Sequence, residues 1–442
     1  MHHPTLAGLR RAQDPAAAAA ASAPEPAFLL PWPSAHGTRC ALALVVAALL
    51  APAQAAGLGM AEAAALARQQ SPALTALQAS LSGSTLARPA AASLPDPRLS
   101  IGLENIPVQG PDRYNLTRDA GTMQRLALMQ EMPNLAKREA RSQLAQARIE
   151  RDRLQLAAAE LGVRREALRA WVAVYYAQQR AAWLDRLQQQ NTLLQQTLPP
   201  RIAAGAGMAA ELTMARQEAL EIADRQDEVA RDLAKARAAL RRLVGPRGDE
   251  ALVGEPLAWA VEEQRLREDL PRHTDLAPYD AMAAMAQAEI DENRAETRGD
   301  WSWEVAWSRR QRYDDMVSFQ LSFDLPVRQA QRQTPQIAAR RQELTRIAAE
   351  REDLLRRRAE EVETQLAELR ALDAQAARLQ GQGLALADER VALTLAAYQA
   401  GRGELGTVLA ARSALLELHL RALALDAERS DLRVRLNTWI AE

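Results

Sequence analysis

The 442-residue sequence has a single cysteine, Cys40. One thiol excludes a disulfide framework and a cysteine metal site. Aromatic residues make up only 4%, few for a globular core. Ala, Leu, Arg, Glu and Gln dominate instead, which is the composition of long helices or coiled coils. Neither sign of charge prevails, since 55 Lys plus Arg face 56 Asp plus Glu. That balance argues against nucleic acid as a partner, and no basic stripe interleaved with aromatics supplies a strand-binding groove. Catalytic constellations are lacking too. No Gly-rich phosphate loop precedes a strand, no motif positions a base for Ser413, and His273 and His419 lie far apart in sequence. The reading is therefore of a non-enzyme with no cofactor and no metal site.

The N-terminus is read as an export signal. Arg39 precedes a short apolar run, Cys40 to Ala51, followed by Ala53-Gln54-Ala55, an A-x-A cleavage site. The run is about a dozen residues, too short to span a bilayer as a helix. Cys40 stands before the run, whereas a lipoprotein cysteine follows it, so an acyl anchor is not expected. Residues 1–38 are Ala/Pro-rich and are given no fold.

What is present begins with a change of period. Trp301, Trp303, Val305 and Trp307 alternate with Ser302, Glu304, Ala306 and Ser308. After a charged turn, Val317, Phe319, Leu321, Phe323 and Leu325 alternate with polar residues. That is the pattern of two strands joined as a hairpin. A weaker hairpin lies upstream, with Leu99, Ile101 and Leu103 on one face and the stretch Gln124–Gln130 as its partner. The four strands are each about nine residues, the length of a tilted transmembrane strand.

The hairpins belong to two copies of one plan. Placing Gly205 on Gly401 also places Gly207 on Gly403 and Arg216 on Arg412, while Pro133 falls on Pro326. Each copy reads helix, strand, loop, strand, proline, long helix, glycine turn, second helix. The expected domains are an N-terminal extension and signal peptide (1–55), repeat 1 (56–244), a linker (245–272) and repeat 2 (273–442). Repeat 1 contains a hairpin at about 98–130, a long helix at 134–198 and a return helix at 208–243. Repeat 2 contains a hairpin at about 301–326, a long helix at 328–398 and a return helix at 404–441. The long helix of repeat 1 is on the order of 100 Å at 1.5 Å per residue. Heptad rows such as Leu154, Leu161, Leu168 and Tyr175 lay helices side by side in coiled-coil fashion. The fold class is mainly α with a small β part.

Four strands cannot close a barrel, because transmembrane barrels have at least eight and an open edge in lipid leaves backbone groups unsatisfied. Two chains would supply eight strands and three would supply twelve. With Trp301, Trp303, Trp307, Phe319 and Phe323 facing outward, outer-membrane lipid is the expected neighbour. A soluble sheet packed on helices is the plain alternative.

These residues resemble the TolC-like outer-membrane factors of tripartite efflux and type I secretion systems. The resemblance covers the duplicated plan and the stretch "AYQAGRGELGTVLAARSALLE" with its Tyr398-x-x-Gly401. It implies a homotrimer in the outer membrane, with a twelve-strand barrel and a periplasmic helical barrel tapering to a closed tip. It also implies a periplasmic adaptor and an inner-membrane RND-type pump as partners. The Pro-Asp-Pro before the first strand, Asn105-x-Pro107, Thr122-Met123 and Gln130-Glu131-Met132-Pro133 look most like the heavy-metal branch, the cobalt–zinc–cadmium and copper–silver exporters.

A passive conduit needs a gate and a docking end. The two glycine turns, with Gly205, Gly207, Gly401 and Gly403, are expected together at the periplasmic tip. Carried over from the family, Tyr398 and Glu211 match a tyrosine–acid link that holds the pore shut. The family's basic position aligns with Gly403, while Arg402 stands one residue away. Arg201 offers a charge on the other turn, with helix capping or plain solvation as the equal alternative. The acidic ring of some members aligns with Thr407 and Ala410 and is absent here. The competing functions are the same duct for drugs or type I protein secretion, and a soluble periplasmic coiled-coil scaffold.

Overall fold

The computed structural model describes residues 57–439, except 206 and 312. The expected signal segment, Cys40 and the cleavage site after Ala55 lie outside the described residues. The first repeat runs β1 (Leu58–Gly59), α1 (Met60–Gln70), α2 (Pro72–Ala92), β2 (Arg98–Glu104), β3 (Met123–Met132), α3 (Leu135–Ala203) and α4 (Ala209–Val244). The link and the second repeat run β4 (Leu252–Val253), α5 (Glu263–Glu268), α6 (Ala277–Ala295), β5 (Trp301–Arg310), β6 (Met316–Phe323), α7 (Gln333–Arg378), α8 (Leu384–Gln399) and α9 (Leu405–Asn437). A π-helical turn, Leu379–Gly383, joins α7 to α8 without a break.

The two hairpins meet through β3 and β5 to form one antiparallel sheet of order β2-β3-β5-β6. Residues directly opposite share a face, so the register assigns every side chain. Leu99, Leu128, Val305 and Phe319 form one cross-sheet row. Trp301, Trp303, Trp307, Ile101, Leu103 and Phe323 lie on that same face. The other face carries Ser100, Arg125, Ala127, Glu304, Ala306 and Ser318. Ala127 and Ala306 are each only 1% exposed there, while Ile101 and Phe319 on the first face are 80% and 66% exposed. The apolar face is thus the open one, the reverse of a soluble sheet packed on its core.

Each hairpin feeds a long helix. Pro133 ends β3, and Asn134 caps α3 by accepting the Lys137 N–H at 2.9 Å. Asp300, just before β5, accepts the Asn134 N–H at 2.9 Å and the Lys137 ammonium at 3.0 Å. The two repeats are therefore pinned together where sheet becomes helix. Burial opposes the Asp300 charge, but the Asn134 and Lys137 donors outweigh it and hold the carboxyl below its usual value.

Three helix boundaries depart from expectation. The long helix of repeat 1 does not stop at residue 198; α3 continues through Pro199 and Pro200 to Ala203. Leu198 is fully buried and Ile202 packs beside it, so tertiary packing holds the last turn despite two missing N–H donors. The long helix of repeat 2 starts at Gln333 rather than 328, with Pro335 in its first turn, where an N–H has no intrahelical acceptor anyway. Its return helix ends at Asn437, and residues 440 and 441 of the expected span lie outside the described residues.

Midway along the helices, β1 and β4 make a two-residue parallel ladder, and Trp171 donates its indole N–H to the Leu58 carbonyl at 2.9 Å. Trp171 is the centre of a core with Leu168, Val172, Leu240 and Val434. A second core joins α5, α7 and α9 through Leu266, Leu366, Leu369, Leu425 and Leu436. Among the described residues, no helix is long and apolar enough to cross a membrane.

Candidate functional site

The four helix ends furthest from the sheet converge in one apolar cluster of Leu198, Ala215, Tyr398, Leu405, Val408 and Leu409. Both hairpin turns close there. Gly401 and Gly205 adopt positive φ of 72° and 74°, the left-handed residue that ends a helix and that a side chain disfavours. The Arg402 N–H closes the second turn on the Ala397 carbonyl at 2.9 Å.

Within the cluster the Tyr398 hydroxyl donates to the Glu211 carboxylate at 3.1 Å. The structure thus brings together the tyrosine and acid that the sequence pairs, and the contact ties α8 of repeat 2 to α4 of repeat 1. Glu211 lies in the first turn of α4, where the helix dipole favours a negative charge. Gly207 makes room for it, because a Cβ at that position would meet a Glu211 oxygen at 2.9 Å. A Cβ on Gly403 would meet the backbone N of Tyr398 at 3.2 Å, so this glycine seats the turn against the helix end.

The basic neighbour of the link is Arg201, on the other turn, rather than Arg402. Arg402 is exposed and makes no ion pair with any described residue. Arg201, at the end of α3, lays its guanidinium over the Tyr398 ring at 4.7 Å from the centroid. Burial and the Glu211 hydrogen bond push Tyr398 above the usual phenol value, and Arg201 works the other way. The phenol therefore stays protonated and acts as a donor. Thr407 and Ala410 are exposed beside the turn and carry no charge.

A second constellation, not anticipated from sequence, lies one to two turns further along the helices. Asn191 on α3 is fully buried and donates to the Glu218 carboxylate at 2.5 Å and to the Ala215 carbonyl at 3.0 Å. Gln195 donates to the Asn191 oxygen at 2.6 Å. Arg412 of α9 approaches the same Glu218 oxygen at 4.0 Å, with one guanidinium nitrogen buried and unpartnered. Its repeat mate Arg216 is exposed. That difference between matched positions was the only signal available, and it appears only once the helices are packed.

At the other end, the polar face of the sheet holds Arg125 between Glu104, at 2.9 Å, and Glu304. His419 packs edge-to-face on Trp183 at 4.5 Å, and His273 on Trp439 at 4.7 Å. Among the described residues no group of His, Cys, Asp and Glu side chains is placed to hold a metal ion.

No protein-family model matches the chain, and no curated protein matches it by sequence. Solved structures do match. The outer membrane protein VceC of Vibrio cholerae superposes with a TM-score of 0.71 at 17% identity, over 85% of this chain and 94% of that one. CusC, described in terms of folding and transmembrane channel formation, gives 0.73 at 15% identity, over 87% and 92%. A membrane protein from Pseudomonas aeruginosa gives 0.74 at 16% identity, over 86% and 89%. The mainly helical fold of this chain is that of the TolC-like outer membrane channels.

Proposed function

We propose that this chain is the outer-membrane component of a tripartite efflux system, a passive trimeric conduit for heavy-metal cations. It works with an inner-membrane RND-type pump and a periplasmic adaptor. The observation that carries the reading is the two-faced sheet. Its open face is a continuous apolar surface from Leu99 to Phe323, its other face holds Arg125 between two glutamates, and the outer edges of β2 and β6 are unpaired among the described residues. Apolar outside and polar inside is the arrangement of a transmembrane barrel with an aqueous lumen. Closing it requires other copies, and three give twelve strands. The fold shared with outer membrane channels supports the same reading.

The tip then acts as the gate. Tyr398, Glu211 and Arg201 join the two hairpins, and the Gly205 and Gly401 turns form the end on which an adaptor docks. No chemistry is required of the conduit; energy and selectivity come from the pump. Metal as cargo is supported by the resemblance of the first hairpin, from Pro95-Asp96-Pro97 to Pro133, to the heavy-metal branch.

The test compares a deletion strain with its parent after sublethal exposure to zinc, cobalt, cadmium, copper or silver, by elemental analysis of washed cells. Selective retention of one metal, reversed by complementation, is the expected result. Normal metal content with retained dyes or drugs would keep the conduit and reject the cargo. Release of the protein from membranes by carbonate, without detergent, would reject the barrel itself.

A further inference from the structure

The two repeats leave the sheet differently. Pro326 is the counterpart of Pro133, yet α3 starts at Leu135 whereas α7 starts only at Gln333. The intervening stretch of repeat 2 is ordered by its own backbone. The Val327 N–H closes on the Leu325 carbonyl at 2.8 Å, and the Arg332 N–H on the Arg328 carbonyl at 3.2 Å. The Gln329 amide donates to the Thr297 carbonyl at 3.2 Å, which fastens the stretch just beyond α6. Leu325 and Val327 are 76% and 84% exposed. By the alternation of β6, Leu325 continues the apolar face of Phe319 and Phe323.

Beside this apolar strip stand Arg328 and Arg332. They lie one helical turn apart, so their charges stack on one side and repel each other. Both are exposed, and neither makes an ion pair among the described residues. Repeat 1 uses its cations otherwise at the matching junction. There Lys137 pairs with Asp300 at 3.0 Å, and Arg138 donates to the Ala92 carbonyl at 3.2 Å. Asp324, the nearest acid in sequence, pairs with neither arginine and falls on the polar side by the same alternation.

We propose that residues 325–332 bind the phosphate of an anionic phospholipid whose chains lie along the apolar face. Arginine forks match phosphate oxygens, and their stems lie on apolar surface while the heads reach the headgroup level. Trp301, opposite Phe323 at this end of the sheet, supplies the aromatic ring found at that level. One phosphate relieves the repulsion between the two guanidinium groups. A net negative headgroup is favoured over a zwitterionic one, whose ammonium would meet the same two cations. The site rests on the reading of the sheet as membrane-spanning.

The test is quenching of tryptophan fluorescence by lipids brominated on their chains. The full chain is extracted in detergent and reconstituted in mixtures of phosphatidylglycerol and phosphatidylcholine, with Trp301, Trp303 and Trp307 as reporters. Each arginine near a headgroup is worth roughly fivefold in binding. The tighter component of quenching should therefore prefer phosphatidylglycerol about twentyfold. Arg328→Gln with Arg332→Gln should bring the two lipids close to parity, while Arg328→Lys with Arg332→Lys should keep most of the preference. Should the double glutamine variant fail to insert, Arg328→Gln alone reads a loss of about fivefold.

Equal quenching by the two lipids, a preference untouched by the glutamines, or one lost equally with lysine would each overturn the site and leave the barrel standing. No quenching by either lipid would remove the membrane-spanning sheet and the site with it. Inorganic phosphate that abolishes the preference, where chloride at matched ionic strength does not, would make this a site for free phosphate and overturn the lipid.

Discussion

Replacing Tyr398 by Phe removes one hydroxyl and takes a donor from the Glu211 carboxylate, which is only 7% exposed. A buried acceptor left without its donor costs about 1–3 kcal/mol. The link between the two hairpins is weakened by that amount in every copy. Single-channel current in a planar bilayer should therefore rise for Tyr398→Phe combined with Glu211→Ala, and unchanged current would remove these residues from the gate. Arg412 makes a contrasting case. Arg412→Met leaves Glu218 buried beside Asn191 without its cation, and breaking a buried pair from one side costs several kcal/mol. Melting should fall clearly for Arg412→Met and recover in part when Glu218→Gln is added. Equal melting for the single and double variants would mean that the charges do not interact across their 4.0 Å separation. His273 is buried, and burial pushes it below the usual imidazole value; Asp275 and Glu361 oppose this, while Arg358 and Arg165 add to it. It is neutral when folded and takes up a proton at about pH 6.5 when unfolded. Its contribution is thus present above that pH and lost as pH falls. Melting temperature should decline from pH 7 to 5, and His273→Gln should flatten the decline. At this scale the Tyr398–Glu211 pair was legible through a family resemblance. Arg201 was legible only as a charge on the other turn, because its place over the ring depends on α3 continuing through Pro199 and Pro200.

Strands were the most legible elements, since a period of two both announces a strand and sorts its faces. The register bears this out for Trp301 through Trp307 and for Val317 through Phe323. Elements too short to carry a period were invisible. The β1–β4 ladder is two residues a side and depends on segments far apart in sequence brought together by the Trp171 core. The π turn left no sequence signal beyond Gly381 and Gly383, which also read as ordinary helix interior. The sheet offers a direct test of its faces, because Phe319 and Ser318 are neighbours that point oppositely. Arginine on a lipid face near the membrane midplane costs about 2–4 kcal/mol, whereas a lumen face tolerates it. Phe319→Arg should lower the yield of membrane-inserted, detergent-extracted protein well below that of Ser318→Arg. Equal yields, or the reverse order, would mean that the exposed apolar face does not meet lipid.

The whole molecule is decided by what one chain cannot satisfy. Among the described residues its sheet ends in two unpaired edges, those of β2 and β6, each presenting a row of N–H and C=O groups. In water such edges invite pairing with another copy, and in lipid they cannot be left open. The four strands β2, β3, β5 and β6 of one chain are half of the smallest transmembrane barrel, so closure needs at least a second chain. Two chains would give eight strands and an interior filled by side chains; three would give a lumen. The sheet's polar face favours the larger number. Arg125 already sits between Glu104 and Glu304, and eight strands would press such clusters together, whereas twelve leave them solvated. Cysteines at Ser100 on β2 and Ser318 on β6 place one thiol on each edge strand, on that polar face. Neighbouring strands lie about 4.8 Å apart and each residue of register adds about 3.3 Å, so a flexible linker of roughly 10 Å tolerates an unknown register between copies. Treated in membranes, the double variant should give a ladder of one, two and three chains that stops at three. A ladder ending at two would make the barrel eight-stranded and occluded, which is incompatible with a conduit. Absence of cross-linking would mean that the β2 and β6 edges are covered by something other than this chain.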